Sequence, residues 1–281
     1  MSHGDGRRPR ILLLGATGRV GRLLHAGWCE DAELIPVARK PAPGCHVWGP
    51  GQSPRGLPQV DAIAAFWGVT PGEGGDLSQN VALAWEAQAL GAALRARVVL
   101  HASSVAVYAP SDGDLTEEAA RGAPNAYGAA KSDMEDALST LPKTGPRAVS
   151  LRIGSVAGAE SLFASLAQSR AITLDRFADG CGPVRSYIAP TDLARVVSTL
   201  AICEAEILPP ALNVAAPRPV AMADIVAAAG REVVWRDAPV GARQRVTLST
   251  ARLQSLCPLT PDAASPSHLV AEWRRLAGVP A

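Results

Sequence analysis

Lysine and tyrosine are scarce in this 281-residue chain. Only three of its 27 Lys and Arg residues are lysine (Lys40, Lys131, Lys143), and only three positions are tyrosine (Tyr108, Tyr127, Tyr187). A motif built from those two residue types is therefore hard to meet by accident. An excess of charge of either sign is also missing, with 27 basic residues against 26 acidic ones. That balance offers no broad basic field to phosphate backbones, so nucleic acid is not an expected partner. Long apolar runs are absent too. The first, residues 11–14, stops at a glycine, and none approaches the ~18 uninterrupted apolar residues of a spanning helix. No signal-peptide core and no membrane partner are expected. The five cysteines are odd in number, scattered and never in a C-x-x-C pair, which argues against a disulfide framework and a zinc site. The expectation is a reduced, cytoplasmic protein without a metal.

What is present is a chain that is 48% hydrophobic with 26 Gly and 23 Pro, enough for a sizeable core in one or two domains. Short apolar runs alternate with helical patterns through its first half. Residues 10–14, 33–37, 60–66, 97–103 and 147–153 read as strands, and residues 18–29, 77–94, 125–140 and 161–169 as helices. Alternation of this kind predicts an α/β, doubly wound parallel sheet (a Rossmann fold) with a small mixed carboxy-terminal substrate region. The expected division is a dinucleotide-binding domain over 1–155 and a substrate-binding region over 156–281, interleaved with late sheet elements. In that region 184–188, 211–214 and 246–248 read as strands, and 191–202, 221–229 and 266–276 as helices. Residues 41–58, rich in Gly and Pro, read as surface loop around one short strand at 45–48.

The first strand runs into Gly15-Ala-Thr17-Gly18-Arg19-Val20-Gly21, a G-x-x-G-x-x-G turn that opens a helix. Glycines there permit a tight turn and a close backbone approach to a pyrophosphate, and the helix amino end supplies N–H groups and partial positive charge. The spacing by itself is weak, because glycine is common in the chain. Its place in the first strand-to-helix junction is what points to a dinucleotide. The second strand ends in Arg39-Lys40, where an acid would accept hydrogen bonds from the ribose 2′-hydroxyl of NAD. Two cations suit a 2′-phosphate instead, so NADP is the expected cofactor, with NAD as the alternative; the competing reading is a pair of solvated loop charges.

Tyr127-Gly-Ala-Ala-Lys131 sets a phenol and an ammonium four residues apart, on one helix face. A nearby ammonium favours phenolate and is expected to lower the tyrosine pKa toward the working range of an acid/base group. With so few Tyr and Lys, roughly 0.03 such matches are expected by chance, which makes this the most specific signal in the chain. Upstream, Ser104 closes the strand RVVLHASS at the end where ligands of parallel sheets bind, placed to donate to a substrate oxygen or, equally, to cap a turn.

Together these residues resemble the short-chain dehydrogenase/reductase superfamily, in its extended branch of NAD(P)-dependent epimerases and dehydratases. The likeness runs over nearly the whole chain and includes Gly15/Gly18/Gly21, Asn80-Val81, Ser103-Ser104-x-x-Val107-Tyr108, Tyr127-x-x-x-Lys131, Leu151-Arg152, Arg185-Ser-Tyr-Ile-Ala-Pro-Thr-Asp192 and Leu212-Asn213-Val214. By that resemblance Tyr127 is the general acid/base, Lys131 holds the nicotinamide ribose and tunes the tyrosine, and Ser104 polarises the reacting oxygen. Arg185 matches an arginine that in sugar-nucleotide epimerases meets the substrate pyrophosphate, and Asn80 an asparagine that steadies the site, with a polar helix-surface role as its equal alternative. The implied function is hydride transfer at a secondary alcohol or ketone of a polar, sugar-derived small molecule, by an oxidoreductase or epimerase. The family also implies a homodimer through the helices at 77–94 and 125–140, whose small residues allow close packing. The contrasting class is a catalytically silent NAD(P)-binding regulatory protein. Three departures stand out, of which one is that the chain is short for a sugar-nucleotide epimerase and lacks a clear second phosphate-binding motif around Arg243 and Arg245. His46-Val-Trp48-Gly-Pro lacks the aspartate that contacts adenine in the family, and Phe66-Trp67 sets two bulky aromatics where small residues are usual, placed to line or narrow the cofactor crevice.

Overall fold

Ile11 to Leu14 and all four residues at 62–65 are buried on both strand faces, a pattern that only a sheet covered on both sides can satisfy. The computed structural model, which describes residues 8–29, 31–72, 75–142 and 144–278, shows that sheet. Lys143 and the amino-terminal MSHGDGR segment lie outside the described residues. In the first half, β1 (Arg10–Leu14), β2 (Glu33–Ala38), β3 (His46–Val47), β4 (Ala62–Ala65), β5 (Val98–Ser104) and β6 (Arg147–Ile153) are linked through α1 (Arg19–Ala26), α2 (Gln79–Ala93) and α3 (Ala126–Ser139). Beyond them come β7 (Ser155–Val156), α4 (Ser161–Gln168), β8 (Ala171–Arg176), β9 (Val184–Arg185), β10 (Tyr187–Ile188), α5 (Pro190–Ile202) and β11 (Ala211–Val214). The chain ends with β12 (Val220–Ala221), α6 (Met222–Ala228), β13 (Glu232–Asp237), β14 (Arg245–Val246), α7 (Ala251–Leu256) and α8 (Pro266–Ala277).

The seven-stranded sheet runs in the order β11-β6-β5-β4-β1-β2-β3, every pair parallel. Strand order reverses between β1 and β4, and the crevice at their carboxyl ends is where such sheets bind ligands. One face of the sheet carries α1, α5 and α8, and a large apolar cluster that includes Leu13, Leu24, Leu193 and Trp273 fills that layer. The other face carries α2, whose Leu90 packs with Leu12, Ile63 and Val99, and α3, whose Met134 and Leu138 pack with Ala84 of α2. Capping fixes where α3 starts: the Asn125 side chain accepts from the Gly128 amide at 2.9 Å, which places Tyr127 in the first turn beside the crevice.

The carboxy-terminal elements differ in detail from the sequence reading. The strand expected at 184–188 is two short strands, β9 and β10, which join different small sheets. A parallel pair, β8 with β13, is an element the apolar pattern does not announce, since β13 is mostly exposed and both strands carry charge. α7 is likewise additional.

Candidate active site

A cavity of about 580 Å³ opens along the carboxyl ends of the central strands. Its floor at the β1–α1 junction is the glycine loop. Gly15 has φ +84°, and a Cβ on it would lie 2.7 Å from the Trp67 amide nitrogen, so a larger residue would push the strand ends apart. Gly18 is the N-cap of α1 and has no side chain to spend on the helix amides. The first turn of α1 contains no acid and begins with Arg19, a cation at the positive end of a helix dipole. That arrangement is unfavourable by itself and suits a bound anion. Gly21 does not line the cavity; it is buried under the loop, where a Cβ would come within 2.0 Å of the Gly15 carbonyl oxygen. Its role is to let the helix pack against the turn. These residues fit a dinucleotide pyrophosphate.

The cavity wall at the end of β2 is Val37, Ala38 and Arg39. Arg39 presents an exposed side chain at the rim, while Lys40, also exposed, falls outside the cavity lining. Both residues lie just past β2, in the bend that leaves the strand, and only the first of the two borders the cavity.

Ser104, Tyr127 and Lys131 all line the same cavity. The Ser104 hydroxyl accepts from the Ala106 amide at 3.2 Å, capping a 3-10 turn over Val105–Val107, the turn-capping role that the sequence left open beside the site role. Lys131 is buried, donates to the Ala102 carbonyl at 2.9 Å and sits 6.0 Å from the centre of the Tyr127 ring. Burial lowers its pKa to about 8, against the pull of the Glu135 carboxylate. Tyr127 departs from the sequence expectation. Burial raises its pKa, and the opposing influences are a hydrogen bond with Ser104 and the Arg19 charge rather than Lys131. In the free protein the phenol is thus held neutral, the form that delivers a proton.

Two other expected residues take different places. The Arg185 guanidinium is half-buried and donates to the carbonyls of Val184, Arg243 and Gln244 at 2.8 to 2.9 Å, tying the short strands together; it does not line the cavity. Asn80 is buried and clamps the loop after β4, accepting from the Val69 amide at 3.2 Å and donating to the carbonyls of Val69 and Leu77. It steadies the loop carrying Gly68, whose Cβ would fall 3.2 Å from the Lys131 ammonium nitrogen.

Sequence reasoning missed two features. Glu160 lines the cavity and caps α4, accepting from the Leu162 amide at 2.8 Å and the Phe163 amide at 3.3 Å, and burial raises its pKa. Behind the site, the Glu135 carboxylate accepts from Ser103 at 2.6 Å and from Arg152 at 2.7 Å, and Arg152 donates on to the Tyr108 hydroxyl at 2.9 Å. Glu135 follows Lys131 by four residues, so extending Y-x-x-x-K by one more turn would have found it. Among the described residues no cluster of metal-ligating side chains occurs, and no helix is long and apolar enough to cross a membrane.

A glycine-loop helix end facing a Tyr–Lys helix across a sheet's switch point defines a doubly wound dinucleotide-binding protein with an acid/base site. Residues 62–208, more than half of the chain, match the sequence model of the NAD dependent epimerase/dehydratase family, and the chain belongs to that family. No curated protein sequence matches it significantly. Solved structures do. An NAD-dependent NDP-hexosamine 5,6-dehydratase of tunicamycin biosynthesis is 16% identical with a TM-score of 0.74, over 96% of this chain and 98% of that one. The UDP-glucuronic acid 4-epimerase of Bacillus cereus, bound to UDP-glucuronic acid and NAD, is 14% identical with a TM-score of 0.74, over 96% and 100%. The UDP-glucose-4-epimerase of Stenotrophomonas maltophila, bound to NAD and a formylated UDP-arabinopyranose, is 18% identical with a TM-score of 0.74, over 96% and 99%. At these identities the likeness shows a shared fold.

Proposed function

We propose that the chain is an NAD(P)-dependent oxidoreductase or epimerase acting at a secondary alcohol or ketone of a polar, sugar-derived molecule, with NADP as its preferred dinucleotide. The observation that carries this reading is the convergence of Ser104, Tyr127 and Lys131 on one cavity with the Gly15–Gly18 loop. The nicotinamide supplies the hydride donor and acceptor when bound. Thr17, Gly18, Arg19 and Val20 would hold its pyrophosphate, and the Lys131 ammonium its ribose hydroxyls. Tyr127 moves a proton to or from the reacting oxygen, and the Ser104 hydroxyl fixes that oxygen by hydrogen bonding. The preference for NADP rests on Arg39 at the cavity rim, with no acid lining that end. The relatives above act on nucleotide sugars with NAD, which supports a sugar-derived substrate and keeps NAD as the alternative cofactor.

The direct test is titration with NADPH and NADH, followed by a screen of sugar nucleotides, uronates and simple ketones. Product analysis then separates epimerisation, which leaves the cofactor level unchanged, from net redox chemistry. Tyr127→Phe is expected to bind cofactor as wild type and to lose about 10²- to 10⁴-fold in turnover. Turnover equal to wild type refutes the acid/base assignment. Two lesser readings go with the proposal. Five free cysteines support a reducing, cytoplasmic setting. The family resemblance supports a homodimer through α2 and α3, to be checked by light scattering.

A further inference from the structure

Among the described residues no carboxylate lines the cavity at the end of β2, where two tryptophans stand. Trp48, just after β3, and Trp67, just after β4, stack with ring centroids 5.8 Å apart and planes 28° apart. Both line the cavity beside Val37, Ala38 and Arg39 at the end of β2. Trp48 is fixed from behind: it is 4% exposed, it packs with Val37 and Val60, and its indole N–H donates to the Gln52 carbonyl at 3.1 Å. Trp67 leans on it, and its backbone lies directly against Gly15. A ligand with its phosphates on the glycine loop and a ribose near Arg39 has only this aromatic wall left for its base. The acid that lines the cavity, Glu160, belongs to the other end, where it caps α4.

We propose that the Trp48–Trp67 pair is the adenine seat of this protein, a stacking platform that holds the base by its face rather than by a carboxylate at its amino group. The inference rests on the dinucleotide reading given above. Rings already held by packing lose little freedom when a base stacks on them. The seat is indifferent to the base's edge, because every purine offers the same π face.

Equilibrium binding tests this without turnover. By calorimetry, Trp67→Ala weakens NADPH binding by about tenfold or more, from the usual worth of base–aromatic stacking. It leaves binding of NMNH, the half-molecule that lacks adenosine, at the wild-type value. Trp67→Phe keeps most of the NADPH affinity. On the unaltered protein, the hypoxanthine analogue of NADPH, which lacks the amino group, binds within a few-fold of NADPH; this arm needs no variant and stands even if Trp67→Ala fails to fold. Unchanged NADPH affinity in Trp67→Ala, an equal loss for NMNH, or a large loss for the hypoxanthine analogue each overturns the seat alone. Failure of the wild type to bind either NADPH or NADH overturns the dinucleotide reading and the seat with it.

Discussion

Glu135→Gln is the perturbation whose cost follows most directly from the structure. The side chains of Glu135 and Arg152 are 6% and 7% exposed, and Arg152 meets the carboxylate with Nη2 at 2.7 Å and Nε at 3.1 and 3.2 Å. Ser103 donates to the same carboxylate at 2.6 Å. An amide of the same shape cannot accept all of these bonds, and its NH₂ would face guanidinium donors. The Arg152 charge would then stay buried with only neutral acceptors, the one amide oxygen, the Tyr108 hydroxyl and the Glu117 carbonyl, as partners. Breaking one side of a buried ion pair costs about 3–5 kcal/mol, a large share of a domain's stability of about 5–15 kcal/mol. Urea unfolding followed by tryptophan fluorescence reads this loss directly. The double variant Glu135→Leu/Arg152→Met removes both charges, so it is expected to be more stable than Glu135→Gln alone. A loss below about 1 kcal/mol in the single variant, or a double variant as unstable as the two single losses added, would refute the reasoning.

Other consequences follow from the same buried groups. Burial holds His101 neutral, with a pKa lowered to about 3, so below pH ~6.5 unfolding takes up a proton and stability falls as pH drops, by about 1.4 kcal/mol per unit at most. His101→Gln should show a shallower loss between pH ~6.5 and ~4 in denaturant titrations; an identical slope argues against a neutral buried imidazole. Lys131, with a folded pKa of about 8 against 10.5 in the open chain, is charged and penalised by burial at neutral pH, and stability rises as pH climbs from 8 toward 10.5. Lys131→Met should therefore gain roughly 1–3 kcal/mol at pH ~7 while losing activity, and an unchanged or lower melting temperature would count against it. Gly128→Ala places a Cβ 2.0 Å from the Ala106 carbonyl oxygen, so α3 must shift away from the turn that carries Ser104. Turnover should drop by about 10²-fold with NADPH affinity little changed, as measured by steady-state kinetics beside binding.

Legibility in the sequence tracked how local each cause is. β1, β6 and β11 were read with the bounds the structure gives, because runs buried on both faces are plain in the residues themselves. The Tyr127–Lys131 pair was equally plain, since one helical turn sets its geometry. The β8–β13 pair was not: it joins Ala171 to Glu232 across 60 intervening residues, and although β8 alternates over a short span, β13 is mostly exposed and has no buried face to mark it. Lys40 and Arg185 carry the right charge in the right neighbourhood. The first lies in the bend beyond β2 and outside the cavity lining, and three backbone carbonyls engage the other.

Tyr127, Lys131 and Glu135 occupy successive turns of one face of α3, and that spacing ties catalysis to folding more tightly than the motif alone implies. The first residue borders the cavity, the second is buried beside it, and the third is paired in the core with Arg152 of β6. Neutralising Glu135 therefore acts twice. It loosens the contact between α3 and the sheet, and it removes the charge that keeps the Lys131 ammonium from losing its proton more readily. A purely structural role for Glu135 predicts lost stability with an unaltered Lys131 titration. The coupled arrangement predicts that the Lys131 pKa falls below about 8 in any Glu135→Gln protein that still folds. Reductive methylation with a ¹³C label resolves that titration by NMR, because only three lysines report.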